Sequence, residues 1–158
     1  MKLVTFTTKS KSNPAPGVLI NESEVVDLSA LGHASILAFI QAGPQALEDA
    51  RADAAKLARL PLSSVKLRAP IQRPPRIFAI GLNYQKHADE SNMPVQKVPT
   101  VFMKLSGAVV GPDDPIVLPR ISTQPDYEAE FAFVIGKPGY QISADRAMDH
   151  VFRYTIVN

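Results

Sequence analysis

The sequence predicts an α+β protein, with a small amino-terminal α/β region followed by a region of short β-strands. Strand-like runs of β-branched residues and then a stretch rich in Ala, Leu and Gln predict the first region. The prolines predict the second, because eleven of the 14 lie between Pro61 and Pro138. Proline fixes φ and lacks a backbone donor, so this region favours short strands and rigid turns over long helices.

In the amino-terminal region, hydrophobic spacing separates strands from helix. The predicted strands are 2–6 and 17–28, the second turning at 21–24, and the predicted helix is 34–59, broken at Gly43 and Pro44. The helix prediction depends on Leu47, Ala50 and Ala54, which recur at three- and four-residue spacing. We place the domain boundary in a proline-rich linker at 61–75, which gives a small domain at 1–70 and a second domain at 71–158.

The second region is predicted as short strands between turns. The predicted elements are strands at 76–81, 101–105, 115–118 and 127–135, one or two helical turns at 83–90, a loop at 91–100 and a closing helix at 143–154. Ser143 is the expected N-cap of that helix, and Ala144, Met148 and Phe152 lie on its apolar stripe. The apolar run at 76–81 predicts a buried strand, and the run at 127–135 becomes apolar on both faces beyond Glu130.

Composition and charge exclude several functional classes. The net charge is only +2, which is too small to predict a nucleic-acid surface. No apolar run approaches the roughly 20 residues that span a bilayer, and the first residues carry no export signal. We therefore expect a cytoplasmic protein without a membrane partner. The chain contains no cysteine, so any metal must be held by oxygen or imidazole ligands.

Two glutamates, Glu128 and Glu130, begin the most informative apolar run, DYEAEFAFVI at 126–135. Alternate residues of a strand share a face, so the carboxylates are expected on one side, about 7 Å apart. For this spacing alone a solvated strand face is the more common explanation, and the apolar residues that follow Glu130 weaken it. If the strand is buried, two carboxylates repel each other unless a cation lies between them, and Mg²⁺, Mn²⁺ or Ca²⁺ fits such ligands.

A histidine and a glutamate form the second candidate. If 83–90 is helical, His87 and Glu90 share a face, and the carboxylate can orient the imidazole and raise its basicity. This arrangement suits a general base, but an ordinary exposed His–Glu pair has the same spacing. Lys104 is a weaker candidate, because a cation in an apolar strand either reaches solvent or binds an acidic substrate.

Five segments of the chain together resemble the fumarylacetoacetate hydrolase family. They are GLNYQKHADE at 81–90, VPTVFMK at 98–104, VVGPDDPIVLP at 109–119, DYEAEFAFVIGK at 126–137 and YTIVN at 154–158. Their order and spacing resemble the family's catalytic domain over 76–158, and the part before them is similar to the small domain that precedes it in many members. The resemblance implies the first part of a mixed, β-rich catalytic domain of the β-roll type.

The resemblance also implies roles for individual residues. Glu128 and Glu130 would be two of three carboxylate ligands of a divalent ion, Mg²⁺ or else Mn²⁺ or Ca²⁺, and in the family the third is an aspartate that follows the position of Asn158. His87 and Glu90 would activate water. Lys104 and Tyr84 would contact the substrate, and 94–99 would lie in a mobile lid.

The implied activity is cleavage of a C–C bond in a small oxo-acid or β-dicarbonyl compound through a metal-stabilised enolate. Decarboxylation of the oxaloacetate type and isomerisation of the 2-hydroxyhepta-2,4-diene-1,7-dioate type pass through the same enolate, so they remain alternatives. The implied partners are a small oxo-acid and a second copy of the chain in a homodimer. A reading from another class is a non-catalytic fragment that ends before the third ligand.

Overall fold

A computed structural model describes residues 1–94 and 96–158, and it confirms the α+β prediction. The strands are β1 Lys2–Thr8, β2 Ala15–Leu19, β3 Glu24–Asp27, β4 Arg59–Pro61, β5 Val65–Arg68, β6 Ile77–Gly81, β7 Thr100–Lys104, β8 Glu130–Ile135 and β9 Val151–Val157. The α-helices are α1 Ile36–Gln41, α2 Pro44–Asp53 and α3 Gln85–Glu90, and a longer 3-10 helix covers Ala144–His150. Val95, inside the predicted loop and lid, lies outside the described residues. None of the described helices is both long and apolar enough to cross a bilayer.

The amino-terminal strands form one antiparallel sheet in the order β4-β3-β2-β1-β5. Val4 pairs with Gly17 and Val18 pairs with Val26, which places these β-branched residues alternately on the two faces. The predicted strands at 2–6 and 17–28 are therefore confirmed, with the turn between β2 and β3. The predicted linker at 61–75 is wrong in its first half, because β5 pairs with β1 and completes this sheet.

The helices cover one face of the sheet. The cluster on that face consists of Val18, Val26, Leu28, Phe39, Ala46, Leu47 and Ala50. Helix α1 begins where the Ser35 hydroxyl accepts a hydrogen bond from the Ala38 N–H at 3.1 Å. Gly43 has a φ of 83° and Pro44 starts α2, so the predicted break is confirmed. The helical region ends before residue 59, because Arg59 pairs with Val26 in β4.

The opposite face of the sheet packs so closely around Gly17 that a side chain there is not tolerated. A Cβ at Gly17 would lie 2.8 Å from Phe6 Cε1 and 2.9 Å from Val25 Cγ2. Phe6 and Val25 are both buried, so neither can move without disturbing its cluster. We therefore expect Gly17→Ala to lower the free energy of unfolding by about 1–3 kcal/mol, measured by urea titration. Gly107→Ala is the control, because a Cβ at Gly107 meets no described atom within 4 Å. Equal stability of the Gly17 variant and the parent would contradict this description of the core.

The second region contributes two antiparallel pairs, β6–β7 and β8–β9. Ile77 pairs with Lys104 at one end of the first, and Glu130 pairs with Val157 at one end of the second. The predicted strands near 76–81 and 101–105 are confirmed in position. The burial predicted for 76–81 is wrong for this chain, since Phe78 is 60% exposed, and the strand that starts at Glu130 is not buried either, since Phe131 is 59% exposed.

Two predicted elements of this region are wrong. Residues 115–118 do not form a strand in the described chain, because prolines at both ends remove backbone donors and no described strand pairs with them. The predicted helix at 143–154 is a 3-10 helix that ends at His150 and continues directly into β9. The stripe was misleading because its carboxyl-terminal part is β-branched and aromatic, and pairing with β8 outweighs helical spacing.

Asp114 joins the second region to the edge of the first sheet. Its carboxylate accepts a hydrogen bond from Lys66 Nζ at 2.6 Å and from the Gly111 N–H at 3.0 Å, and Arg68 Nη1 lies 3.8 Å away. A Cβ at Gly111 would lie 3.2 Å from the Arg68 Cα, so glycine permits this close approach. The hydrogen bond from Lys66, followed by that from Gly111, lowers the pKa of Asp114 from its ordinary value.

The lowered pKa of Asp114 predicts how acid affects stability. A carboxyl whose pKa is lower in the folded state stabilises the fold fully above its unfolded pKa, which is about 3.9, and loses this effect as pH falls through the folded value. Asp114→Asn should therefore be less stable than the parent at neutral pH, and the difference should shrink below about pH 4. Urea unfolding from neutral to acid pH tests this, with Asp113→Asn as the control. A difference that stays constant with pH would contradict the role of the carboxylate.

Candidate metal and catalytic site

Helix α3 and the turn that leads into it form one half of the candidate site. Strand β6 ends at Gly81, and Leu82 then takes a left-handed conformation with φ of 51°. This turn redirects the chain so that α3 begins at Gln85. The predicted helical turns at 83–90 are therefore confirmed, and they present His87 and Glu90 on an exposed surface.

The structure does not form the expected bond between the imidazole and the carboxylate. Within the described residues, His87 and Glu90 share neither a hydrogen bond nor an ion pair, although the helix does join Gln85 Nε2 to Asp89 Oδ1 at 2.8 Å. Both side chains of the predicted dyad are solvated, and water competes effectively for such groups. The spacing predicted the shared helix correctly but not the contact.

Strand β8 forms the other half, and its first residue is Glu130. Asn83 Nδ2 donates to Glu130 Oε2 at 3.4 Å, and the Phe131 N–H donates to the Tyr84 hydroxyl at 3.1 Å. The turn before α3 therefore touches β8 at two consecutive residues. Sequence reasoning missed Asn83, and the available signal was its position beside Tyr84 in the segment that also contains His87.

Glu128 lies just outside β8. Its N–H donates to Asn158 Oδ1 at 2.8 Å, and its side chain is exposed. The prediction that Glu128 and Glu130 share one strand face is wrong, because pairing with β9 starts only at Glu130. The expected burial on both faces is also absent from the described strand, in which intermediate and exposed residues alternate. Repulsion between two buried carboxylates is therefore not an argument for a bound cation here.

Lys104 lies apart from these residues. It pairs with Ile77, at the opposite end of the β6–β7 pair from Gly81, which is about 13 Å away at the usual rise of a strand. Its ammonium group lies 5.9 Å from the centroid of the Phe102 ring, and the residue is exposed. The structure thus brings Tyr84 and Glu130 together but leaves Lys104 at another end of the sheet.

The donor chemistry at the start of β8 suits a hard cation, although the ligand set is small. Glu128 and Glu130 provide carboxylate oxygens, and the chain has no thiolate to compete. The described residues contain no group of three or more Asp, Glu or His side chains arranged to hold a metal ion. Two glutamates supply only part of the six oxygen ligands that Mg²⁺ requires.

Comparison with known proteins now identifies the class to which this fold and site belong. The fumarylacetoacetate (FAA) hydrolase C-terminal family matches residues 76–158, the part that carries α3, β8 and β9. The chain therefore belongs to the fumarylacetoacetate hydrolase family, as the sequence motifs predicted.

Individual relatives agree with this assignment over the whole chain. The mitochondrial oxaloacetate tautomerase fahd2 of Xenopus laevis is 38% identical over 163 aligned residues, which cover 100% of this chain and 51% of the relative. The maleylpyruvate hydrolase of Sphingobium sp. SYK-6, solved with manganese(II) and pyruvate, has a TM-score of 0.81 at 28% identity. It is matched over 99% of this chain and 57% of its own.

A probable 2-hydroxyhepta-2,4-diene-1,7-dioate isomerase from Mycobacterium abscessus superposes with a TM-score of 0.73 at 36% identity, over 99% of this chain and 51% of its own. This chain thus spans about half the length of the curated relatives it matches. The names of these curated relatives place them in mitochondria, so the prediction of a cytoplasmic protein is wrong.

Proposed function

We propose that this chain carries part of the active site of a metal-dependent enzyme that acts on a small oxo-acid through an enolate. The contact between the turn before α3 and the start of β8 is the observation that supports this most directly. It joins the turn that leads into α3, the helix that carries His87, to β8, the strand that begins with Glu130. A candidate base and a candidate ligand thus lie on two touching elements.

Glu128 and Glu130 are the proposed carboxylate ligands of a divalent cation. When bound, the cation supplies Lewis-acid stabilisation of the negative charge that develops on the substrate oxygen. The register of β8 and β9 supports the assignment: Glu130 pairs with Val157, so two more steps in each strand would place the residue after Asn158 opposite Glu128. The family resemblance puts the third carboxylate there. The manganese and pyruvate in the structure of the Sphingobium relative also favour this cation and substrate class.

The remaining residues have proposed roles in binding and proton transfer. His87 is the proposed general base, and Glu90 would orient its imidazole once substrate excludes water from the site. The described residues of 94–99 would belong to a lid. Lys104 remains a proposed substrate contact that requires its side chain to reach from the far end of β7.

The domain assignment and cellular context are also proposals. We propose a small domain at 1–70 and the first part of the catalytic domain at 71–158, with assembly as a homodimer. We propose a mitochondrial location, because the tautomerase relatives carry that location in their names.

Three reactions remain candidates for the enolate. The curated relatives favour oxaloacetate tautomerisation, while the solved relatives favour hydrolysis of a C–C bond or isomerisation of a dienedioate. The small ligand set and the exposed apolar strands favour a second candidate from another class, in which residues 1–158 alone are not catalytic. Such a chain would bind metal weakly.

Enolate formation can be tested separately from the rest of each reaction. The protein is incubated with Mn²⁺ and pyruvate in D₂O, and EDTA then removes the paramagnetic ion. Loss of the methyl proton signal is followed by NMR, since each enolate formed exchanges a proton for deuterium. Parallel assays follow oxaloacetate tautomerisation, acylpyruvate hydrolysis and isomerisation of a 2-hydroxyhepta-2,4-diene-1,7-dioate. Metal-dependent exchange supports the proposal, and the parallel assays choose among the reactions. Absence of exchange and of all three turnovers would favour the non-catalytic alternative.

A further inference from the structure

Tyr84 occupies a position where its hydroxyl is already bonded within the protein. The Phe131 N–H donates to that hydroxyl at 3.1 Å. Each backbone N–H of a strand points to one edge only, so this bond lies on the edge of β8 that faces away from β9. The hydroxyl therefore caps the free edge of β8 at the residue next to Glu130.

Two further observations concern the same contact between the turn before α3 and β8. Leu82 adopts a φ of 51°, a conformation that residues with a side chain rarely take. The strained turn directs both Asn83 and Tyr84 toward β8, and Asn83 Nδ2 reaches Glu130 Oε2 at 3.4 Å. On its other side, Phe131 stacks on Tyr154 of β9 with ring centroids 5.3 Å apart. The start of β8 is thus held from both edges.

We infer that Tyr84 is a positioning residue that fixes the backbone at Glu130, and that Asn83 orients the carboxylate, so that the turn before α3 sets the geometry of the cation site. This inference rests on the proposed function only where it treats Glu130 as a ligand. It replaces the expectation that the Tyr84 hydroxyl contacts substrate. The hydrogen bonds themselves exist without any cation.

The first measurement concerns the bond alone. Tyr84→Phe removes the hydroxyl and keeps the ring, and Tyr140→Phe removes a hydroxyl from a residue that is 84% exposed. Amide hydrogen exchange followed by NMR should show the Phe131 N–H exchanging about threefold to tenfold faster in Tyr84→Phe and unchanged in Tyr140→Phe. Exchange at Phe131 that is the same in all three proteins would overturn the inference.

The second measurement concerns positioning. Broadening of the Glu130 amide resonance by added Mn²⁺ reports occupancy even when binding is weak. Tyr84→Phe and Asn83→Ala should each need about threefold to tenfold more Mn²⁺ for equal broadening, while Tyr140→Phe should match the parent. Faster exchange at Phe131 without any change in the Mn²⁺ titration would show that the Tyr84 hydrogen bond exists but does not position Glu130, and it would overturn the inference.

A third variant separates this inference from the proposed function. If Glu130→Ala leaves the Mn²⁺ titration unchanged, Glu130 is not a ligand and the proposed site fails, together with the positioning role. The exchange at Phe131 then still decides whether the Tyr84 bond exists. If Glu130→Ala abolishes broadening and Tyr84→Phe does not weaken it, the ligand assignment stands and only the inference about Tyr84 is overturned.

Discussion

Replacing Glu130 with alanine is expected to abolish binding of Mn²⁺ and, with it, metal-dependent proton exchange of pyruvate. Glu130 is one of the two proposed carboxylate ligands at the start of β8. Its loss leaves Glu128 as the other proposed ligand there. Loss of a group that merely supports a ligand costs about 10- to 100-fold in metal affinity, so loss of the ligand itself should exceed this. Isothermal calorimetry with Mn²⁺ measures the effect, and Glu128→Ala should behave in the same way.

The fold should survive this change, because Glu130 is partly exposed and, among the described residues, its carboxylate accepts a side-chain hydrogen bond from Asn83 alone. Circular dichroism and urea unfolding provide that check. Glu22→Ala is the matched control, since it removes an exposed carboxylate from the turn between β2 and β3. Unchanged Mn²⁺ affinity in both site variants would disprove the ligand assignment.

His87→Ala is expected to reduce turnover by about 10²- to 10⁴-fold, the usual contribution of a general base, while Mn²⁺ still binds. His87 lies on the exposed surface of α3, so its removal should not disturb the buried Ala88 beside it.

The control for this change is His33→Ala, which removes an imidazole that packs edge-on against Phe39 in the amino-terminal region. Its turnover should match that of the parent. If His87→Ala loses Mn²⁺ affinity along with turnover, His87 acts as a ligand instead of a base. If it loses neither, the catalytic part of the proposed function belongs to other residues.

Patterns within one short segment predicted those elements whose local preference agrees with their pairing or packing in the fold. The break between α1 and α2 follows from Gly43 and Pro44, and β1 to β3 follow from β-branched runs around a short turn. Helix α3 was predictable for the same reason, since its signals lie within one segment. Family motifs predicted the family domain over 76–158, and the family match covers the same residues.

Pairing between distant segments determined what local patterns could not predict. Val151 and Phe152 continue the helical spacing of Ala144 and Met148, but they belong to β9, which pairs with β8. The same pairing starts at Glu130 and leaves Glu128 outside the strand. The contact of Asn83 with Glu130 joins residues 47 positions apart, and no spacing rule reports such a distance.

The pairing of β5 with β1 determines where the chain can be divided. The segment from Val65 to Arg68 supplies the outer partner of β1. A protein cut at residue 61, where the proline-rich segment begins, would therefore leave unpaired the backbone donors and acceptors of Thr5 to Thr8 that face β5. Open edges of this kind recruit other strands, and such a piece would aggregate. A piece that continues through Arg68 keeps its outer strand. An amino-terminal unit prepared for separate study should therefore end after β5, and the proposed small domain at 1–70 includes that strand.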